Sequence, residues 1–277
     1  MKIGLFLFST DYSMPIDQLA IAAEQRGFDS IWLPEHTHIP ASRDTPYPGG
    51  DDLPKEYSHT LDPFVALGMA AAVTDKLKLA TGICLAIEHQ AITLAKTVAT
   101  LDHVSNGRVL LGLGAGWNRE EMENHGTVYA QRFRKLEEQM SALREIWTVD
   151  EASFDGEFEK FDRIWSWPKP VQKPHPPLIL GGETDRTLRR VVRAADGWLP
   201  RGMNPDLVLD GMAKLRQFAE QADRDPATLS VSVFAPPPTA EVVDKFRETD
   251  AERVILMVPP SNEVDTLARL DRYAAFV

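Results

Sequence analysis

Residues 108–121 read RVLLGLGAGWNREE, an apolar run that passes through three glycines into a second, acidic segment. Val109–Leu113 is too short for a buried helix and long enough for a strand that is buried on both faces. Gly112, Gly114 and Gly116 place no side chain over the C-terminal end of this strand, so a flat, bulky molecule can lie against the backbone. A tight turn into the following helix would use the same glycines, and one such loop does not separate the two interpretations.

Seven further short apolar runs predict strands, and a helical pattern follows each of the eight. The first helix is predicted from Pro15 to Arg26 and ends at Gly27, while Asp62-Pro63 and Asn204-Pro205 are typical of helix starts. This alternation favours an α/β fold, the closed (β/α)8 TIM barrel, over its main competitor, an open doubly wound sheet. The other predicted strands are Ile3–Phe8, Ser30–Leu33, Leu77–Ile83, Leu178–Leu180, Gly197–Leu199, Leu229–Phe234 and Val254–Val258.

The length of 277 residues fits one barrel domain over residues 1–277, since such barrels take roughly 250 residues. Two segments are longer than a plain connection requires. Residues 35–61 follow the second strand, and we expect them to cover the active-site end as a lid. Residues 149–177 precede the fifth strand and contain a predicted hairpin around Asp155-Gly156.

Composition excludes several classes of protein. A net charge of −11 argues against a nucleic-acid or anionic-membrane partner, because neither surface attracts an acidic protein. Cys84 is the single cysteine, which excludes an intramolecular disulfide and a multi-cysteine metal site. The sequence shows no signal-peptide pattern and no apolar stretch of the ~20 residues that span a membrane. We therefore expect a soluble, cytoplasmic protein that acts on a small molecule.

In a TIM barrel, chemistry takes place at the C-terminal ends of the strands, where His36 follows the second strand. A histidine in this position can exchange a proton near neutral pH, although a loop histidine bonded to a backbone carbonyl would give the same pattern. His36 and His38 are also spaced as a metal pair can be. A metal site would need further ligands from later strands. The first position after each of strands five to eight holds no His, Asp or Glu, so we predict no metal.

The ends of the fifth and sixth strands suggest an anion site. Gly181-Gly182 precede a helix that starts near Thr184, and glycines there expose backbone N–H groups at the positive end of the helix. Arg201 follows the sixth strand and can bind a phosphate through its planar guanidinium. Glu183 and Asp185 must then point away from the phosphate. A plain helix cap beside a surface arginine is the alternative.

Several strand ends carry short motifs that resemble one known family in their order and placement. The motifs are Met1-Lys2-Ile3-Gly4, Ile31-Trp32-Leu33-Pro34-Glu35-His36, Thr81-Gly82-Ile83, Gly112-Leu113-Gly114-Ala115-Gly116-Trp117, Trp167-Pro168-Lys169-Pro170-Val171-Gln172, Leu180-Gly181-Gly182 and Ala194-Ala195-Asp196-Gly197-Trp198. Together they resemble the bacterial luciferase-like monooxygenase superfamily, and within it the F420-dependent oxidoreductases. The resemblance runs from residue 1 to about residue 204.

The resemblance implies a flavin-like ring in the barrel mouth, with His36 as the catalytic histidine and Glu35 as an acidic residue in contact with the deazaflavin. It also implies a cis peptide between Gly82 and Ile83 behind the ring, and a homodimer. Trp117 stands where the subgroup that oxidises glucose 6-phosphate has a glutamate, which favours a planar, apolar substrate instead. The implied cofactor-binding residues are Thr81, Gly82, Ile83, Gly114, Ala115, Gly116, Trp117, Gly181, Gly182 and Arg201.

The function that follows is hydride transfer between the deazaflavin F420 and a small organic substrate, with His36 donating or accepting the proton. In such an enzyme the cofactor supplies the redox chemistry and the protein supplies orientation and a proton. Two alternatives stay open on the sequence alone. One is an FMN-dependent monooxygenase of the same fold, and the other is a non-catalytic barrel that binds a flavin.

Overall fold

Eight parallel strands close into a barrel in the computed structural model, which describes residues 1–50 and 52–277. The first strand, Lys2–Leu7, pairs with both Ser30–Leu33 and the last strand, Arg253–Val258, which closes the sheet and excludes the open doubly wound alternative. Every predicted strand is present and its ends agree within one residue, so the predicted (β/α)8 barrel is confirmed. The barrel strands are β1 (Lys2–Leu7), β2 (Ser30–Leu33), β3 (Lys78–Cys84), β4 (Val109–Leu113), β7 (Leu178–Gly181), β8 (Gly197–Leu199), β9 (Ser230–Phe234) and β10 (Arg253–Val258).

Helices follow each barrel strand and form the outer layer. The predicted caps are present: the Asp62 carboxylate accepts a hydrogen bond from the Val65 N–H at 2.9 Å, and the Asn204 side chain accepts one from the Asp206 N–H at 3.1 Å. The helices are α1 (Ile16–Gln25), α2 (Glu56–His59), α3 (Pro63–Val73), α4 (Ala91–Val104), α5 (Arg119–Asn124), α6 (Arg132–Thr148), α7 (Asp185–Ala194), α8 (Pro205–Gln221), α9 (Ala240–Arg247) and α10 (Glu263–Tyr273). Among the described residues, no helix is long and apolar enough to cross a membrane.

The barrel interior is filled with side chains, which leaves chemistry to its ends. The interior cluster is separate from the larger core between strands and helices, because alternate strand residues face opposite sides of the sheet. Tyr57, Ile83 and Phe234 pack against this interior cluster and are only partly buried. The interior cluster consists of Phe6, Phe8, Trp32, Ala80, Leu110, Ile179, Leu199 and Ile255.

Both long segments contact neighbouring elements. In the 35–61 segment, the N–H groups of Asp44 and Thr45 donate to one carboxylate oxygen of Glu120 at 3.2 and 3.1 Å. The 149–177 segment holds the antiparallel pair β5 (Ala152–Asp155) and β6 (Lys160–Ile164), as the hairpin prediction required.

Candidate active site

His36 and Glu121 form a buried pair at the mouth of the barrel. The Nδ1 atom of His36 lies 2.8 and 3.0 Å from the two carboxylate oxygens of Glu121, and their side chains are 7% and 1% exposed. A carboxylate accepts, so Nδ1 donates its hydrogen to Glu121, and in the neutral tautomer that carries this hydrogen Nε2 has the lone pair. His36 Nδ1 therefore bonds to a side-chain carboxylate and not to a backbone carbonyl, as the alternative interpretation required. This geometry gives His36 the arrangement of a general acid–base group.

Aromatic side chains surround this histidine. The ring centroids of Tyr57 and Trp117 lie 5.1 and 6.0 Å from that of His36, and the Tyr57 hydroxyl donates to the Tyr47 hydroxyl at 3.2 Å. The Arg43 guanidinium lies 5.5 Å from the Trp117 ring centroid. Trp117, which the sequence analysis assigns to cofactor binding, thus lies beside His36, while Arg43, Tyr47 and Tyr57 of the 35–61 segment were not expected from the sequence. Such a set of rings suits a planar, apolar molecule.

The bulge at the end of β3 carries the cis peptide that the resemblance implied, between Gly82 and Ile83. The Ile83 side chain leans over the neighbouring strand ends. A Cβ atom on Gly114 would lie 2.0 Å from Ile83 Cδ1, and one on Gly181 would lie 3.7 Å from Ile83 Cγ2. Gly114 thus makes room for Ile83, while at Gly181 an added Cβ would make only an ordinary contact with it. The isoleucine, rather than the bare glycine backbone, forms the surface on which a ring would lie.

Two predicted cofactor contacts turn their side chains away from this surface, and a third is explained by its backbone conformation. The Thr81 hydroxyl is buried and donates to the Gly112 carbonyl at 2.7 Å, and Ala115 belongs to the core between strands and helices. Gly116 has a φ angle of +66°, so the turn itself requires a glycine there. The prediction is corrected for the side chains of Thr81 and Ala115, and the turn interpretation explains Gly116.

Glu35 also faces away from the mouth. Its carboxylate, 3% exposed, accepts hydrogen bonds from the Leu85 N–H at 2.6 Å and from His89 Nε2 at 2.7 Å. Burial alone would raise the pKa of Glu35, but these hydrogen bonds outweigh burial and hold its pKa below the ordinary value. Glu35 therefore supports the loop after β3, which corrects the expected contact with the deazaflavin.

The same region brings three metal-ligating residue types together, since ligand atoms of Glu35, Cys84 and His89 lie within 4.8 Å of one another. Burial raises the pKa of the Cys84 thiol well above its ordinary value, and a protonated thiol is a poor ligand. The hydrogen bonds to Glu35 account for the cluster without an ion.

Arg201 is engaged by a neighbouring carboxylate. Its Nε and Nη2 atoms lie 2.9 and 2.8 Å from the Glu183 oxygens, and Asp185 pairs with Lys214 at 3.0 Å. The sequence-based phosphate site required Glu183 to point away, and that condition is not met. A cleft of about 660 Å³ adjoins this ion pair between α7 and α8, and its lining includes Trp198, Met203 and Leu207.

Glu88, which follows β3 in a short 3-10 helix, is another buried carboxyl group. Its side chain is 1% exposed, and its Oε2 atom, which makes no hydrogen bond to any described residue, lies 3.6 Å from His125 Nε2. Burial, followed by the negative charges of Glu121 and Glu35, raises the pKa of Glu88 to about 9. Glu88 is therefore a neutral acid at neutral pH.

Replacement of Glu88 by glutamine is expected to remove an alkaline loss of stability. A carboxyl whose pKa rises from 4.5 to about 9 on folding binds its proton more tightly in the folded state, so stability falls as pH rises between these values. Between about pH 7 and about pH 9 the loss is on the order of 2 kcal/mol. Urea unfolding measures the free energy of unfolding of both proteins. As the pH rises over this range, the free energy of unfolding of Glu88→Gln should increase by this amount relative to that of wild type. The exposed Glu123→Gln is the control, and a difference independent of pH would contradict the assignment.

The fold and the site define a (β/α)8 barrel with a buried histidine–glutamate pair beside aromatic rings at its mouth. The family model described as luciferase-like monooxygenase matches residues 3–273. The chain belongs to this family.

An uncharacterized protein of Mycobacterium tuberculosis is 41% identical over 99% of this chain and 98% of its own length. Two further relatives have stated activities, and these activities use two different cofactors. The F420-dependent hydroxymycolic acid dehydrogenase of M. tuberculosis is 28% identical over 76% of this chain and 55% of its length. The FMNH2-dependent dimethylsulfone monooxygenase of Pseudomonas putida is 34% identical over 47% of this chain and 37% of its length.

A solved structure supports the same fold. The monooxygenase RslO1 from Streptomyces bottropensis has a TM-score of 0.79 and 19% identity, with 100% of this chain and 98% of that chain covered. At this identity the likeness shows the barrel and its connections, not the reaction.

Proposed function

We propose that the protein is an F420-dependent oxidoreductase that transfers a hydride between the deazaflavin and a small organic substrate. The observation that carries the proposal is His36, whose Nδ1 is held by Glu121 at 2.8 Å beside the aromatic mouth. The bound deazaflavin would accept or supply the hydride. The similarity to the F420-dependent hydroxymycolic acid dehydrogenase over 76% of this chain supports this cofactor.

The residues at the mouth fit a planar ring. Ile83 presents an apolar face above Gly114 and Gly181, and the Trp117 and Tyr57 rings stand on the side of His36. Tyr57 also lies 4.7 Å from Phe8, centroid to centroid, so it covers part of the interior cluster. We therefore infer that residues 35–61 act as a lid that adjusts when the ring binds.

The chemistry assigned to this chain is proton transfer at Nε2 of His36. When a substrate hydroxyl is oxidised, its proton passes to Nε2 as the hydride leaves the carbon, and reduction returns the proton from the same atom. The imidazolium that forms is stabilised by the carboxylate of Glu121, which is 1% exposed and hence weakly screened.

An FMN-dependent monooxygenase is the second candidate, supported by the 34% identity to dimethylsulfone monooxygenase over 47% of this chain. The two functions differ in their need for oxygen. We expect the F420-loaded protein to turn over alcohols or carbonyl compounds under anaerobic conditions. A requirement for reduced FMN and oxygen would favour the monooxygenase, and saturable cofactor binding without turnover in either assay would favour the non-catalytic barrel.

The phosphate assignment makes a separate prediction. If Arg201 and the Gly181-Gly182 backbone hold the cofactor phosphate, the phosphate must displace Glu183 from the guanidinium. Glu183→Gln should then tighten F420 binding, whereas Arg201→Ala should weaken it by roughly 1.5–3 kcal/mol, the range for charge-assisted hydrogen bonds. Fluorescence titration of F420 measures both. Arg216→Ala, which removes another exposed ion pair, is the control, and unchanged affinity in both test variants would place the phosphate elsewhere.

A further inference from the structure

We propose that Arg43 selects an aromatic carboxylate as the substrate, because its guanidinium binds the carboxylate group while the aromatic side chains at the mouth hold the ring beside His36. The inference rests on the proposed function and deepens it, since it names the class of small organic substrate that meets His36. It adds one negative charge to the planar, apolar substrate that Trp117 favours.

Arg43 and His36 lie beside the same indole ring. The guanidinium carbon of Arg43 is 5.5 Å from the Trp117 ring centroid, and the His36 ring centroid is 6.0 Å from it. Tyr47 and Tyr57 lie 5.8 and 6.2 Å from Trp117, centroid to centroid, and extend this aromatic surface. A molecule with one aromatic ring can therefore pack on these rings between the cation and the histidine.

One edge of the Arg43 guanidinium is open. Its Nη1 atom donates to the Thr45 carbonyl, whereas Nε and Nη2 donate to no residue that the structure describes. No carboxylate in the described part of the chain forms an ion pair with Arg43. The Nε and Nη2 donors lie on one edge of a planar group and together match the two oxygens of a carboxylate.

Arg201 shows how this chain uses the same edge of a guanidinium. Its Nε and Nη2 atoms lie 2.9 and 2.8 Å from the two oxygens of Glu183, so one carboxylate occupies both donors. Arg43 offers the same two donors without such a partner among the described residues, although the chain has a net charge of −11. We therefore assign the missing carboxylate to the substrate, whose single negative charge one guanidinium can match.

The loop that carries Arg43 is tied to α5. The N–H groups of Asp44 and Thr45 donate to Glu120 at 3.2 and 3.1 Å, so the Glu120 carboxylate is directed at the backbone of the loop. These hydrogen bonds fix the position of Arg43 relative to Trp117, which lies just before α5. A group that is already positioned loses less conformational freedom when a ligand binds.

The test compares benzoate with benzamide, which has the same ring and nearly the same shape but no charge. Ligand-observed NMR titration measures the binding of each probe to the full-length protein without cofactor, with F420 and with FMN. In the form that binds these probes best, we expect benzoate to bind about tenfold more tightly than benzamide, the low end for hydrogen bonds to a charged group. Arg43→Gln should abolish this preference.

Arg119→Gln is the matched control. Arg119 is an exposed arginine on α5 that pairs with Glu123 at 2.6 Å, so its replacement removes the same charge and should keep the preference for benzoate. The ratio of the two affinities separates recognition of the charge from packing on Trp117, because a lost packing contact weakens the binding of both probes alike.

Equal affinities of wild type for the two probes, no binding of either probe in any form, or a preference that survives in Arg43→Gln would overturn the inference. F420 binding in the same samples would then leave the proposed function intact. A preference for benzoate that depends on Arg43, in a protein that binds FMN or neither cofactor, would keep the substrate class and reject the proposed function.

Discussion

Replacement of His36 by alanine is expected to lower turnover by about 10²–10⁴-fold, the usual contribution of a general acid–base group, while F420 affinity changes little. The reason is geometric. Nδ1 of His36 is held by Glu121 at 2.8 Å, which leaves Nε2 as the ring nitrogen available to a substrate, so the variant loses the proposed proton transfer. Ile83, which forms the proposed surface for the ring, is unaffected.

Steady-state kinetics of the F420-loaded protein, followed by the visible absorbance of the deazaflavin, measure this loss. His103→Ala is the matched control, since His103 is an exposed histidine near the end of α4. A kcat for His36→Ala equal to that of wild type would remove His36 from the reaction.

Gly112→Ala is expected to destabilise the barrel by roughly 3 kcal/mol or to prevent folding. A Cβ atom on Gly112 would lie 2.0 Å from the Thr81 carbonyl oxygen, a backbone atom held by the pairing of β3 with β4. The backbone can move away only if these two strands separate. Chemical denaturation measures the loss of unfolding free energy.

Gly114→Ala and Gly68→Ala are the matched comparisons. At Gly114 the added atom would meet side-chain atoms of Ile83 and no backbone, with the closest contact to the terminal Cδ1, which can rotate. We therefore expect a smaller loss of stability and a clear loss of F420 affinity. Gly68 lies in α3 with nothing within 4 Å, and alanine there should stabilise by about 0.5–1 kcal/mol. Equal stability of the Gly112 and Gly114 variants would contradict the account of the strand-four glycines.

The barrel could be predicted from the sequence because a parallel sheet covered on both faces has continuous apolar strands. Val109–Leu113 and Ser30–Leu33 have the predicted ends, and the caps at Asp62 and Asn204 locate two helix starts. These signals are local, and each lies within a few residues of the element that it predicts.

The site could be predicted only where a residue lies within a few positions of a strand end, as His36 and Trp117 do. Glu121 is 85 positions from His36, and an acidic residue in the first turn of a helix is equally typical of a favourable helix dipole. Whether Glu183 turns towards Arg201 depends on side-chain packing that no local pattern contains. Tyr57 was missed because its segment has no periodicity to place it.

One correction was available from the sequence. Neighbouring residues of an extended chain face opposite sides, so if His36 faces the mouth, Glu35 is expected to face away from it. The same alternation separates Gly82, whose Cβ would meet the interior Trp32, from Thr81, whose hydroxyl bonds to the Gly112 carbonyl. Motif matching ignores this alternation. It therefore assigns both Glu35 and His36, and both Thr81 and Gly82, to the site.

Fluorescence titration of the purified protein with F420 and, separately, with FMN tests the central claim most directly. The account predicts saturable F420 binding at least about tenfold tighter than FMN binding, a difference of 1.4 kcal/mol or more. Tighter binding of FMN, or no saturable binding of either cofactor, would contradict it.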